Sequence, residues 1–258
     1  MKALAAFFAP NAWAVFRRNL AAWQKYALSS VAINIVEPFA YFIALGFGLG
    51  AYLTLKGQGS LVQFIAPGLM GFTAMNSATF DACWGGFERM NFNGVYESMV
   101  TAPVQPEEIA AGEYLWQAFR AGVYGSLFLA VVAAFGLVHS WLALFCPLIL
   151  ALTGITFAIP ALWVAFLVKT QEHLFYFFSF VITPMTMIGG VFFPLDRLPH
   201  WLVVIAWWTP LYHAVNLFRS LVLGRLAWLN VVDAVWIVLA IVILSVLPLR
   251  TLRRRLAN

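Results

Sequence analysis

Charged residues are scarce in this chain. Asp, Glu, Lys and Arg make up 10% of its 258 residues, whereas roughly 25% is usual for a soluble domain. Apolar residues make up 63%, and the mean hydropathy is +0.88. This composition excludes a soluble globular protein. The apolar runs are continuous and lack the period-two alternation of barrel strands, so we predict an all-α membrane protein.

Motifs of several enzyme classes are missing as well. A Walker A loop needs Gly followed by Lys, and no Gly-Lys pair occurs anywhere in the chain. The sequence also lacks HExxH, GxSxG and CxxC motifs. Its two cysteines, Cys83 and Cys146, have no metal-ligand spacing. We therefore expect no ATP site of that type, no metal site and no disulfide on this chain.

Six apolar runs predict transmembrane helices of about 20 residues each. They are residues 31–55, 61–84, 109–138, 141–168, 174–193 and 231–249. Glu37 and Pro38 come early in the first run, where a carboxylate meets the positive end of a helix dipole and proline is tolerated. We therefore expect Glu37 to cap the helix or pack rather than to catalyse.

Polar side chains occur at membrane depth in the second and third spans. Glu113 and Arg120 are seven residues apart on one helix face, and ionisable groups at such depth usually face protein or water. We expect Arg120, the deeper of the two, to pair or to contact a transported molecule. In the second span the polar side chains either bond to neighbouring helices or line a path; they are Thr73, Asn76, Ser77 and Thr79.

Lys and Arg residues favour one side of the predicted spans. Ten fall on the side of the two chain ends and four on the other. Because cytoplasmic segments are enriched in Lys and Arg, this asymmetry places both ends in the cytoplasm, which requires an even number of spans. The net charge of +5 is thereby explained without a nucleic acid partner. The ten are Lys2, Arg17, Arg18, Lys25, Arg89, Lys169, Arg250, Arg253, Arg254 and Arg255; the four are Lys56, Arg197, Arg219 and Arg225.

Residues 11–29 predict a helix that lies on the cytoplasmic membrane surface. Bulky apolar side chains recur at helical spacing, and basic and polar ones lie off that stripe, as in interfacial helices. An ordinary juxtamembrane tail is the alternative. The apolar stripe is Trp13, Phe16, Leu20 and Trp23, and the other residues are Arg17, Arg18, Gln24 and Lys25.

The largest polar interruption, residues 85–108, lies on the same side as residues 11–29. Its core at about 87–100 predicts a short amphipathic helix, interrupted at Asn93-Gly94. Docking of a soluble partner and a solvated surface helix explain its charges equally well. These charges include Glu88, Arg89 and Glu97.

A second irregular region, at about 194–225, lies on the outer side. After Pro194 and the charged pair Asp196-Arg197, we predict two short helices that do not cross the membrane, at about 199–208 and 211–223. Two histidines fall in this region and could approach each other as an acid-base or metal pair, although packing at the membrane interface is the favoured interpretation. They are His200 and His213.

Several stretches carry a family resemblance. GGVFFPLDRLPHWL and TPLYHAVNLFR, after the fifth span, together with the polar segment after the second span, resemble the permease subunits of ABC-2 type exporters. APGLMGFTAMNSATFDACWGGFERMNFNGVYESMVTAPVQPEEIAAGEYLWQAFRA and RRNLAAWQKYALSSVAINIVEPFAYFIALGFGLG are similar to the branch that includes rhizobial nodulation lipo-oligosaccharide exporters. The resemblance covers nearly the whole chain.

The resemblance implies a six-span ABC-2 domain at residues 31–249, between an interfacial helix within 1–30 and a basic cytoplasmic tail at 250–258. It implies a homodimer in the bacterial inner membrane, in contact with lipid and with two copies of a separate ATPase subunit. ATP and Mg²⁺ would bind to that subunit, and this chain would carry no cofactor and no catalytic residues.

The same resemblance, combined with the patterns above, gives four groups of candidate site residues. The segment around 88–99 would be the coupling helix that docks on the ATPase, and the helices after Pro194 would cap the outer half of the path. The groups are Glu88, Arg89, Tyr96 and Glu97 for coupling; Arg17, Arg18, Trp23 and Lys25 for the interfacial helix; Asn76, Thr79, Glu113 and Arg120 for the translocation path; and Pro194, Asp196, Arg197 and His213 for the outer lid.

These expectations favour a transport subunit that exports an amphipathic cargo, such as a lipo-oligosaccharide or another lipid-linked glycan. Drug or antibiotic efflux by the same type of permease is the first alternative. A membrane-embedded acyl or glycosyl transferase that uses His or Asp at the outer edge is an alternative of another class, and a passive channel is a third.

Overall fold

A computed structural model describes residues 6, 9–52, 54–55 and 59–256, without the side chains of residues 54, 55, 59 and 197. Lys2 and Lys56, two of the basic residues that were counted to predict the orientation in the membrane, lie outside the described residues. The described α-helices are, in chain order, α1 (Pro10–Gln24), α2 (Ala27–Tyr41), α3 (Leu61–Phe80), α4 (Gly86–Asn91), α5 (Val95–Val100), α6 (Pro106–Ala134), α7 (Cys146–Leu167), α8 (Glu172–Phe177), α9 (Thr183–Ile188), α10 (His200–Trp207), α11 (Pro210–Leu223), α12 (Trp228–Leu244) and α13 (Val246–Leu256).

Short irregular helices extend several of these elements. The π-helical segments are Phe42–Gly48 after α2, Asp81–Gly85 after α3 and Phe178–Ile182 between α8 and α9. The 3₁₀ segments are Leu49–Ala51, Trp141–Phe145 and Leu195–Arg197. Two strands of two residues each, β1 (Thr54–Leu55) and β2 (Gly59–Ser60), form an antiparallel pair with Thr54 opposite Ser60.

The prediction of an all-α membrane fold is confirmed. Within the described residues, four helical stretches are long and apolar enough to cross a membrane, and α10 with α11 would add a fifth if this pair, bent by 86°, were one span. Six spans therefore remain a prediction. The four stretches are Ala27–Ala51, Pro106–Ala134, Trp141–Leu167 and Trp228–Leu256.

Helix α3 forms the centre of the bundle. Nearly all of its residues are buried, and it packs against α6, α7 and α11. Gly71 allows the close approach of α11, because a Cβ there would lie 3.0 Å from Val215 Cγ2. Gly68 allows the turn after α9 to approach, because a Cβ there would lie 2.5 Å from the carbonyl oxygen of Val191. The stretches that contain α2 and α12 bury only 17% of their most apolar windows. Their exposed apolar faces suit contact with lipid or with another protein.

The start of the first span differs from the prediction. The surface helix ends at Gln24 and the span begins at Ala27. Ser30, which precedes the predicted limits of 31–55, lies inside this helix, and its Oγ is 2.7 Å from Tyr124 Oη. Glu37 and Pro38 consequently lie in the middle of this helical stretch. The expectation that they occupy its first turn is wrong.

The helices in the last two predicted spans also have different limits from those predicted. The fifth, predicted at 174–193, begins at Glu172 and its last helix ends at Ile188, because Gly189 and Gly190 follow and Gly190 has φ +74°. The last, predicted at 231–249, begins at Trp228 and continues as helix to Leu256. The basic segment that begins at Arg250 is therefore helical up to Leu256.

Contacts between distant segments identify the two ends of the bundle. At one end, Asn11 Nδ2 donates to Pro103 O at 3.1 Å, Arg253 pairs with Glu107, and Arg255 Nη1 donates to Asn91 Oδ1 at 3.1 Å. This end, called here the proximal end, therefore gathers α1, α4, α13 and the start of α6. The region after α9 and the end of α11 form the opposite, distal end.

Candidate functional site

Two acidic and two basic side chains form an ion-pair network inside the proximal half of the bundle. Arg89 Nη2 lies 2.8 Å from Glu113 Oε2 and 3.4 Å from Asp81 Oδ2. Arg120 Nη1 lies 3.3 Å from Asp81 Oδ1. The Glu113 side chain is fully buried, and the other three are no more than 12% exposed. The network thus joins the π-helical end of α3 to α4 and α6, with its charges balanced two against two.

Asp81 is the centre of this network. Trp116 Nε1 donates to its Oδ2 at 3.0 Å, and Gln117 Nε2 donates to the same oxygen at 2.6 Å. Both carboxylate oxygens of Asp81 therefore have partners, as a buried charge requires. Gly85 leaves room for them, because a Cβ there would lie 2.9 Å from Arg89 Nη1 and 3.3 Å from Asp81 Cγ.

Hydrogen bonds extend the network to α1 and α5. Asn19 Nδ2 donates to Glu113 Oε1 at 3.1 Å, and Arg89 Nε donates to Tyr96 Oη at 3.1 Å. Burial raises the pKa of Tyr96, so its side chain remains a neutral phenol. The network therefore connects five helical elements, two of which, α4 and α5, form the polar segment between the second and third spans.

A cavity of about 870 Å³ opens beside the network, between α1, α2 and the end of α3. Asp81, Arg89 and Arg120 reach its wall, as do Glu37 and Asn76, whose Nδ2 donates to Glu37 Oε2 at 3.2 Å. Charged, amide and aromatic groups thus surround one space, which suits a polar group with a flat or ring-shaped part. The other lining residues include Arg18, Asn19, Tyr26, Asn34, Phe80, Trp84 and Trp116.

The structure separates the four residues predicted for the translocation path. Asn76 and Arg120 line the cavity, and Glu113 lies behind it in the network. Thr79 is fully buried in the core, and its Oγ1 has no hydrogen-bond partner among the described residues.

The polar side chains of the second span were predicted either to bond to neighbouring helices or to line a path, and only some of them do so. Thr73 Oγ1 donates to Leu69 O at 2.7 Å and Ser77 Oγ donates to Ala74 O at 3.2 Å, so both hydroxyls bond within their own helix. Asn76 alone of these side chains bonds to a neighbouring helix and also lines the cavity. A hydroxyl that bonds to the preceding turn needs no external partner.

The polar segment after the second span contains two short helices instead of one. Gly94 interrupts it with φ +55°, a left-handed conformation that glycine adopts without strain. Glu88 on α4 and Glu97 on α5 are exposed to solvent, while Arg89 and Tyr96 point into the bundle. Of the four residues predicted for coupling, the two glutamates are thus exposed, Glu88 where it also lines the cavity, and the other two tie the helices to the network.

Helix α1 packs one side against the bundle. Val15, Phe16 and Asn19 pack inward, whereas Trp13 is 54% exposed. The reason is the close approach of α6, where a Cβ on Gly112 would lie 2.5 Å from Val15 Cβ.

The predicted interfacial residues lie around this packed face. Trp23 Nε1 donates to Tyr124 Oη at 2.8 Å, and Arg18 Nη1 donates to Asn19 Oδ1 at 3.0 Å beside the cavity. Arg17 and Lys25 are exposed.

At the distal end, His213 fixes the bend between α10 and α11. Its Nε2 donates to the carbonyl oxygen of Trp207 at 2.7 Å, its Nδ1 lies 2.6 Å from Asp233 Oδ1, and its ring stacks on Trp236 at 4.6 Å. Both ring nitrogens are therefore occupied, and the residue is fully buried. His213 links the distal helices to α12.

The other distal candidates are nearer the surface. Pro194 begins the turn after α9, and Asp196 is exposed at that turn. The side chain of Arg197 lies outside what the structure describes. His200 is exposed at the first turn of α10. The idea that His200 pairs with His213 is wrong, because Asp233 and Trp207 already occupy both nitrogens of His213.

Several residues of these sites escaped the sequence analysis. Asp81 gave the clearest signal, since it is an acidic side chain within a predicted span and such residues usually have a partner or a function. Asp233 in the last span gave the same signal. Asn19 and Gln117 gave none, because uncharged amides are common at helix surfaces.

Comparisons with known proteins agree with the family resemblance. A family model described as ABC-2 type transporter matches residues 10–223. Nodulation protein J of Rhizobium leguminosarum bv. trifolii is 36% identical over 248 residues, which are 94% of this chain and 93% of that protein. The Inner membrane transport permease YadH of Escherichia coli (strain K12) is 26% identical over 213 residues, 81% of this chain and 82% of that protein. The chain belongs to the ABC-2 type transporter family and is a multi-pass membrane transport subunit.

Proposed function

We propose that this chain is the permease subunit of an ATP-driven exporter in the bacterial inner membrane, with six spans and both ends in the cytoplasm. Two copies of the chain and two copies of a separate ATPase subunit, which binds ATP and Mg²⁺, form the assembly. Family membership and the relatives' names support transport, and the Lys and Arg asymmetry supports the orientation.

The observation that carries this proposal is the double role of α4. Glu88 faces solvent on this helix, while the adjacent Arg89 holds both Asp81 and Glu113. A partner that moves α4 therefore pulls on Asp81, which also holds Arg120 at the cavity wall. Because the links are 2.8–3.4 Å long and buried, small displacements change their energy by an appreciable amount.

The cavity supports an amphipathic cargo. Its charged and aromatic wall suits a polar head group, and the exposed apolar side chains of α2, among them Ile33 and Val36, offer a lipid-like surface beside it for a chain. A lipo-oligosaccharide has this combination of parts, and so do some antibiotics, which remain the second candidate. The occupied nitrogens of His213 disfavour the transferase hypothesis.

The first experiment tests the docking surface. The chain is reconstituted in nanodiscs with its candidate ATPase subunit, and complex formation and ATP hydrolysis are measured. Glu88→Gln combined with Glu97→Gln should weaken ATPase binding by about tenfold or more without changing Tm, since both side chains are exposed. Glu172→Gln, an exposed acid at the start of α8, serves as the matched control.

A second variant separates docking from transmission. Arg89→Gln should still bind the ATPase but lose the coupling between ATP hydrolysis and cargo export, because Arg89 is held inside the network. If the Glu88/Glu97 variant binds the ATPase and exports cargo at the wild-type rate, these helices are not the docking surface. Export that continues without ATP would favour a passive channel instead.

A further inference from the structure

A second cavity, of about 460 Å³, lies at the distal end. It is enclosed by the start of α3, the turn after α9 and one side of α11. Tyr212, Asn216 and Ser220 line it at intervals of four residues, and so form one polar stripe along α11. Apolar side chains such as Phe193 and Leu223 complete the wall. This distal cavity is separate from the network and the cavity beside it.

Arg219 is the most constrained cation of the distal cavity. Its Nη2 donates to the carbonyl oxygen of Gly190 at 3.0 Å, and its guanidinium lies 4.0 Å from the centre of the Phe64 ring. Its Nε is buried and has no hydrogen-bond partner among the described residues. The guanidinium is therefore held in place while part of its donor capacity remains unused, and buried donors usually have an acceptor.

A second cation, Arg225, lines the same cavity. Within the described part of the chain, no carboxylate lies within ion-pair distance of Arg219 or Arg225. Asp196 also lines the cavity and is exposed. The cavity thus combines two guanidinium groups and one carboxylate with hydroxyl and amide donors and an apolar wall.

We propose that the distal cavity binds a phosphate group through Arg219 and Arg225. Guanidinium groups match the geometry of phosphate oxygens, and a partly desolvated cation gains most from an anionic partner. The apolar wall fits the glycerol and first chain carbons of a phospholipid, so a lipid headgroup and free phosphate are two sources of the same chemistry. Asn216 and Tyr212 supply further donors to its oxygens.

Binding to the purified chain, delipidated in a neutral detergent and without any ATPase subunit, tests this site independently of the proposed transport function. The probes are inorganic phosphate, short-chain phosphatidylglycerol and, as a chain-only control, diacylglycerol of the same chain length. Retained probe is counted by native mass spectrometry and affinity is measured by calorimetry. We expect phosphatidylglycerol to bind and diacylglycerol not to bind. Binding of inorganic phosphate alone would assign the site to free phosphate.

Three variants locate the site. Arg225→Gln removes an exposed cation, and Asn216→Asp adds a carboxylate next to Arg219, so neither removes a core contact. Each should weaken phosphate or phosphatidylglycerol binding by about tenfold or more. Arg254→Gln removes an exposed cation at the proximal end and should leave binding unchanged. The proposal is overturned if no phosphate-bearing probe binds, if diacylglycerol binds equally well, or if Arg254→Gln weakens binding as much as Arg225→Gln.

Discussion

Replacement of Asp81 by Asn tests whether the network holds the proximal half of the bundle together. Asp81 lies 3.3 Å from Arg120 and 3.4 Å from Arg89. At an effective dielectric constant of about 20, one such pair is worth about 5 kcal/mol before desolvation is subtracted. The variant leaves two largely buried guanidinium groups with one carboxylate, Glu113. Breaking a buried pair in this way costs about 3–5 kcal/mol.

A loss of about 3 kcal/mol should lower the Tm of a chain of this size by roughly 6–12 °C. The measurement is thermal unfolding of the purified protein in detergent, followed by tryptophan fluorescence. Glu88→Gln, an exposed position on α4, is the control and should leave Tm unchanged. The combination of Asp81→Asn with Arg120→Gln restores charge balance, so it should recover about 1–3 kcal/mol relative to the sum of the single changes.

Two results would refute this reasoning. If Asp81→Asn melts within about 1 °C of the wild type, the carboxylate does not hold the two cations in the folded protein. If the double variant loses the full sum of the single losses, Asp81 and Arg120 do not interact, because additive effects indicate independent sites.

Two further variants test the helix packing and the distal bend. Gly154→Ala should cost about 1–3 kcal/mol of stability, because its Cβ would lie 2.7 Å from Gln117 O. The control Gly122→Ala should be neutral or slightly stabilising, because the nearest atom to its Cβ would be 3.9 Å away. Equal Tm values for the two variants would contradict the close packing of α6 on α7. His213→Phe should cost about 3 kcal/mol of stability, because it leaves the buried Asp233 without its donor. Adding Asp233→Leu should recover most of that loss, as measured by thermal unfolding. An unchanged Tm for His213→Phe would show that the pair does not stabilise the bend.

Composition and hydropathy were sufficient to predict the fold class. The two short distal helices, predicted at 199–208 and 211–223, agree with α10 (His200–Trp207) and α11 (Pro210–Leu223) to within one or two residues. They were predictable because Pro and Gly mark their limits. The start of the first span was not predictable in this way, because Ser30 is polar in the sequence but bonds to Tyr124, and this contact joins residues 94 positions apart.

The site could be predicted only in part. The spacing of Glu113 and Arg120 correctly indicated a shared face, but their partners are on other helices. Arg89 looked like a surface charge because it stands in a polar segment, and only the fold brings it to Asp81 and Glu113. Sequence periodicity describes one helix at a time, so it cannot reveal a side chain that leaves its own element to pair elsewhere.

Helices α4 and α5 are so short that they need buried side chains and ion pairs to hold them on the bundle. Helices of six residues are unstable in isolation, since the first turn costs more than its single hydrogen bond returns. Here they are fixed to the bundle by Phe87, Met90 and Tyr96, which are buried, and by the ion pairs of Arg89. Under the proposed function, these anchors would transmit a force applied to Glu88 or Glu97 to α3 and α6 instead of letting the short helices melt.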